Sequence, residues 1–332
     1  MDYLDAVYGR ETITEEVLLD LMRSQAMRRL QGVLQHGISG LIGITAPITR
    51  FEHSAGAMLL VRRLGASVDE QIAALLHDVS HTAFSHVIDY VFDGHDSQSY
   101  HDEVKENYLA GTDVPELLAG HGRHWRDYLR EENFPLLEQP APRLCADRLD
   151  YFLRDSVPLG LAASAEVAAA LERLIVADGR ITVDDLGTAQ WLGYTFIACD
   201  EASWANFREV GLYEVTAQAL RRGLAVGAIA EADFWLTDAP VWDRLHTHPD
   251  ETLQYWLKLI SPDTHFEWDE RDPTFTISTK LRAIDPDVVI DGQLHPLSLL
   301  DPDFAQFRTD YLTRKAGKWP MRVVPHFTDM AK

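Results

Sequence analysis

The sequence predicts a mainly α-helical protein that closes with a small mixed α/β lobe. Three observations carry this. Apolar residues recur at three- to four-residue spacing through most of the first 229 positions. A hairpin signal, the Asp-Gly of LIVADGRITV, interrupts that pattern. Beyond about residue 262 the chain alternates and is punctuated by Asp-Pro pairs, as in HFEWDERDPTFTISTKLRAIDPDVVI. The expected organisation is a helical body over 1–230 and a lobe over 231–332.

The elements follow in order. Thr14, with Leu18, Leu21, Met22, Met27, Leu30 and Leu34 behind it, predicts a helix over 14–36. GISGLIGITAPIT is Gly-rich and β-branched and reads as a loop with short extended pieces. Helices are expected over 51–64, 69–79, 82–92 and 98–109. FPLLEQPAPR is a proline-marked break, after which RLCADRLDYFLRDS resumes a helix that Pro158 and Gly160 end. A hairpin at LIVADGRITV and a long helical region over roughly 185–229 complete the body.

Composition narrows the function. The chain has 332 residues and 46% apolar content, enough for a sizeable core, and no apolar run of transmembrane length. The acidic start MDYLDAVYGRETITEE lacks the basic and apolar regions of a signal peptide. With only Cys145 and Cys199, no disulfide framework is expected, and the reading is a cytoplasmic protein. A formal net charge of −22 opposes general nucleic-acid or anionic-membrane binding, but not a small polyanion held by a local cation cluster.

Three separated stretches concentrate ligand chemistry: RFEHS, LLHDVSHTAFSH and DRLDYFLRD. His77 and His81 share a helix face, as do Asp147 and Tyr151 one turn apart. Imidazole and carboxylate together suit a divalent ion such as Mn, Fe, Mg, Co, Ni or Zn. Four ligands, His53, His77, Asp78 and Asp147, leave positions open for water and substrate, as catalysis requires. His121 and His124 read as loop residues.

Taken in this order, the three stretches resemble the HD-domain superfamily of metal-dependent phosphohydrolases, whose ligand set is H…HD…D. The match is closest to the deoxynucleoside triphosphate triphosphohydrolase branch and extends over about residues 20–160, with a weaker KLRAIDP near 280. The resemblance implies an HD helical core, a divalent-metal cofactor held by His53, His77, Asp78 and Asp147, and a small-molecule nucleotide as substrate. It implies catalytic histidines at His81, His86 and His101, with His95 the alternative in the last segment. By the same resemblance Arg50, Arg148 and Arg208 would contact phosphate, and Gln35, Tyr151 and Asp155 the sugar. A homo-oligomer is expected. In that branch a carboxylate and an Arg ahead of RFEHS read an activating guanine nucleotide. Arg23 and Gln31 stand there instead, so such activation is not expected. The alternatives are an HD phosphatase of nucleoside monophosphates or other phosphate esters, a dinuclear iron oxygenase that recruits further histidines, and a nucleotide sensor without turnover.

Overall fold

A computed structural model describes residues 1–92, 94 and 96–325. Its centre is the helix Arg50–Arg63. Thr49 starts it with a capping box: its hydroxyl accepts the Glu52 N–H at 3.2 Å, and the Glu52 carboxylate accepts the Thr49 N–H at 2.8 Å. The helix is buried on nearly every face, so small residues (Ala55, Gly56, Ala57) let its neighbours approach. Against it pack Val68–Leu76, capped by Ser67, and Ala146–Ser156. These three helices carry RFEHS, the His-Asp pair and DRLDYFLRD to one place.

Several expected helices are broken, each for a local reason. The helix expected over 14–36 divides at Ser24, whose hydroxyl caps a new helix, Gln25–Arg29, by accepting from Met27 N at 3.2 Å. A 3₁₀ turn, Leu30–Gly32, follows. Of 82–92 only Val87–Val91 is helical, because Phe84 and Ser85 take positive φ (61° and 51°). The loop is pinned by the buried Asp238 carboxylate, which accepts the Phe84 N–H at 2.7 Å and the Leu34 N–H at 2.9 Å. Gly37 allows the approach: a Cβ there would lie 2.3 Å from the Phe84 carbonyl oxygen. The Gly-rich stretch before RFEHS contains one helical turn, Ile38–Leu41. The 185–229 region becomes Leu186–Cys199, a π-helical turn Asp200–Trp204, and Phe207–Val226.

The hairpin forms as expected, Leu174–Ala177 against Arg180–Val183, with Asp178 and Gly179 both at positive φ. It extends into a four-stranded sheet by parallel pairing of Val183 with Val288 in Asp287–Ile290, itself paired to Gln293–Pro296. A three-stranded antiparallel sheet (His265–Trp268, Trp319–Val324, Phe275–Ile277) and the helix Pro302–Lys315 fill the C-terminal part. The fold is thus an HD-type helical core with a small mixed lobe. Its buried apolar residues form two clusters, and residues on both sides of position 230 contribute to each. Among the described residues no helix is long and apolar enough to cross a membrane.

Candidate active site

The three helices converge on a cavity of about 520 Å³. His53 comes from the first turn of Arg50–Arg63, His77 and Asp78 from the end of Val68–Leu76, and Asp147 from the first turn of Ala146–Ser156. The His53 and His77 Nε2 atoms lie 3.1 Å apart, and Asp147 Oδ1 is 3.0 Å from the former and 3.5 Å from the latter. Asp78 places its two oxygens 3.5 Å from His53 Nε2 and 3.6 Å from His77 Nε2.

The opposite edges of both rings are already committed. His77 Nδ1 donates to the Ala74 carbonyl at 2.7 Å, and His53 Nδ1 to Asp150 Oδ2 at 2.7 Å. Those bonds turn two Nε2 lone pairs toward each other, next to two carboxylates. Such a donor set fits a divalent cation between them. The electrostatics agree. Burial alone would lower the imidazoles, yet the surrounding carboxylates raise both, His77 to about 10. Burial alone would raise Asp78 and Asp147, yet Arg50, His81 and His77 hold Asp78, and His53 and His77 hold Asp147, well below the usual carboxylate range. The pocket draws positive charge to its acids and negative charge to its imidazoles.

Behind His53 runs a buried ionic chain. Arg154 donates to Asp150 at 2.8 and 3.1 Å and to Asp5, at the end of the strand Asp2–Asp5 that pairs with Gly9–Thr12, at 3.1 and 3.3 Å. Gly56 makes room for it: a Cβ there would lie 2.0 Å from both the Arg154 guanidinium and an Asp150 oxygen.

The remaining expected residues divide. Arg50 lines the cavity and is oriented by Asp78 (2.6 Å), Ser85 (2.9 Å) and the Gln35 carbonyl (3.3 Å). Arg148 lines it too, steadied by the Arg143 carbonyl at 2.6 Å and Glu138 at 3.4 Å. Gln35 and Tyr151 also face it, the Gln35 Oε1 buried without a partner. His81, His86 and His101 cluster on one wall, His81 stacked on His101 at 4.0 Å and met edge-on by His86 at 4.8 Å. Burial, reinforced by Arg50, lowers His81 well below its ordinary value, and burial lowers His101 to about 3 and His86 as well. Burial thus disfavours the charged form of all three imidazoles. His81 Nε2 stands 3.1 Å from Asp78 Oδ1 but out of hydrogen-bond alignment, and both its nitrogens are otherwise unpartnered. His95 lies outside the described residues.

Two expected contacts are not at the cavity wall. Arg208 reaches back to Glu209 at 3.3 Å with its side chain 44% exposed. Asp155 is buried behind the wall, its oxygens taken by His36 and Trp204. In their place the fold brings Lys280, Arg282 and Arg308 to the cavity, along with His36 and Trp204. KLRAIDP marks the first two in the sequence. Nothing local marks Arg308. Outside the cavity, His121 pairs with Asp20 at 2.9 Å and His124 stacks on Trp125.

The comparisons agree with this geometry. A model of the HD domain matches residues 50–155. The metal-dependent phosphohydrolase cns2 of Cordyceps militaris is 37% identical over 317 residues, covering 93% of this chain and 91% of that protein. The uncharacterized protein YdhJ of Bacillus subtilis is 37% identical over 294 residues, covering 88% of this chain and 90% of YdhJ. Among solved structures, a phosphohydrolase from Bacteroides thetaiotaomicron superimposes with a TM-score of 0.71 at 19% identity, covering 98% of this chain and all of that one. A hypothetical protein from Aquifex aeolicus gives 0.70 at 20% identity, with 98% and 96% covered. At those identities the two structures speak for the fold.

Proposed function

Because the chain belongs to the HD-domain metal-dependent phosphohydrolases, we propose that its substrates are nucleotides, foremost (deoxy)nucleoside triphosphates cleaved to nucleoside and tripolyphosphate. One observation carries this reading. A chain of net charge −22 lines a single cavity with five cationic side chains, Arg50, Arg148, Lys280, Arg282 and Arg308. Asp78 and Glu138 pair with two of them, Arg50 and Arg148, and the lining also holds Asp102, Glu131, Asp147 and Glu209; the cations beyond those pairs, joined by a divalent ion, suit a polyanion such as three consecutive phosphates.

His53, His77, Asp78 and Asp147 are the residues that would hold the metal. When bound there, a divalent cation would supply Lewis-acid chemistry, polarising a phosphoryl oxygen and easing deprotonation of water. Water attacks the α-phosphorus, the bond from phosphorus to the sugar 5′ oxygen breaks, and a proton passes to that oxygen. Arg50, fixed by three hydrogen bonds, offers its guanidinium edge to the phosphate where charge accumulates. His81, His86 and His101 stand on the same wall; both His81 nitrogens and His101 Nδ1 are without a partner, while His86 Nδ1 meets Asp89 at 3.0 Å. An arriving phosphate opposes the cationic field of Arg50 and so favours their protonation, which would equip one of them to deliver the proton.

The test is product identification. Protein supplied with Mn²⁺, Mg²⁺, Fe²⁺ or Co²⁺ is incubated with nucleoside mono-, di- and triphosphates. Tripolyphosphate and free nucleoside from the triphosphates support the proposal. Orthophosphate from monophosphates alone identifies a phosphomonoesterase instead.

A further inference from the structure

One of the three residues expected to meet the sugar, Asp155, is already engaged. Asp155 is 1% exposed; its Oδ1 lies 2.9 Å from His36 Nε2 and its Oδ2 accepts the Trp204 indole N–H at 2.8 Å. It is absent from the cavity lining, so a ligand hydroxyl meets the groups it holds and not the carboxylate itself. The two groups it holds, His36 and Trp204, line the cavity.

We propose that His36, positioned by Asp155, supplies the polar contact to the nucleotide's sugar, with Trp204 as the apolar surface beside it. The proposal rests on the nucleotide reading above. The Asp155 bond makes Nε2 the donor and so frees Nδ1 for a ligand. Among the described residues no group hydrogen-bonds that Nδ1. The backbone is fixed as well: the His36 carbonyl accepts the Tyr213 hydroxyl at 3.0 Å, and Gly37 at φ 49° seats the segment against the Phe84 loop. The neighbouring Gln35 presents the buried, unpartnered Oε1 on the same cavity. Two adjacent polar side chains with unused hydrogen-bonding atoms suit a hydroxyl-bearing ligand. The aromatic part is equally rigid. Trp204 stands on the π-helical turn and meets Tyr151 edge-on at 4.8 Å, giving the flat face of a sugar ring an apolar wall. His36 is thus a specificity residue, and Asp155 a positioning residue that acts through it.

The experiment compares wild type, His36→Ala, His36→Gln and Asp155→Asn on ATP, dATP and 2′,3′-dideoxy-ATP, with p-nitrophenyl phosphate as a substrate that has no sugar. His36→Gln keeps a donor for Asp155 and lacks the second nitrogen, so it serves if the alanine variant does not fold. The wild type should favour the hydroxyl-bearing nucleotides, and each His36 variant should shrink that preference about tenfold, as expected for one hydrogen bond. Asp155→Asn should shrink it in the same direction, with a larger rise in KM for nucleotides than for the aryl phosphate. An unchanged hydroxyl preference in both His36 variants overturns the proposal, as do equal losses on all four substrates. If no nucleotide is hydrolysed, the functional reading falls. Calorimetric Kd values for the same three nucleotides on metal-stripped protein then decide the inference separately: equal preference in wild type and His36→Gln overturns it, and a lost preference supports it.

Discussion

Replacing Asp150 with Asn should weaken metal binding without unfolding the protein. Asp150 touches no substrate group; it holds His53 by Nδ1 at 2.7 Å and is gripped in turn by Arg154. Its charge fixes the tautomer that points the His53 Nε2 lone pair at His77 and Asp147. Asn still accepts from one partner but presents an N–H₂ to the other, so either His53 or Arg154 loses its bond. Loss of such an outer partner typically costs about 10- to 100-fold in metal affinity, which is roughly 1.4–2.7 kcal/mol. Asp150→Ala should behave differently. It leaves the Arg154 guanidinium, 3% exposed, with Asp5 as its remaining carboxylate, and breaking a buried pair costs about 3–5 kcal/mol of stability. Calorimetric titration of Mn²⁺ into metal-stripped protein reads the first effect, and urea unfolding reads the second. Wild-type Mn²⁺ affinity in Asp150→Asn would refute the argument that this buried chain tunes the metal site.

Two further outcomes follow from neighbouring features. Arg282→Ala should raise KM for triphosphates by about 10- to 150-fold, the worth of one charge-assisted contact, and by less for monophosphates; a KM ratio between the two classes that does not move would remove Arg282 from the phosphate wall. The buried Asp238 carboxyl is raised by burial from 3.8 to about 6, against the opposing bonds from Phe84 and Leu34. The folded state therefore binds the proton more tightly, and stability rises as pH falls through 6 toward 4. Relative to Asp238→Asn, which cannot titrate, wild type should gain up to about 3 kcal/mol between pH 7 and pH 4. Parallel urea unfolding series on the two proteins check this; a difference that stays flat across that range contradicts it.

Much of the site is legible in the chain because its chemistry is local. His77 and Asp78 are adjacent, Asp147, Asp150 and Tyr151 follow helical spacing, and Arg50 and His53 sit one turn apart. Helical geometry alone aims each group as a unit, while that the three stretches meet is what the resemblance to the H…HD…D order implies. The mainly helical body, the hairpin at Asp178-Gly179 and the extended C-terminal texture are legible for the same reason: periodicity and turn chemistry act over a few residues. What escapes is whatever depends on a partner far along the chain. The 82–92 helix fails because Asp238, more than 150 positions away, captures the Phe84 N–H and holds a positive φ that local propensity disfavours. Arg308 and Arg282 become cavity cations only when the C-terminal segments fold back over the helical core. Asp155 is the sharpest case. Its spacing from Tyr151 offers a carboxylate to a ligand, and the fold spends that carboxylate on His36 and Trp204. A buried acid takes the donors that tertiary packing brings within reach, and no local pattern records which those will be.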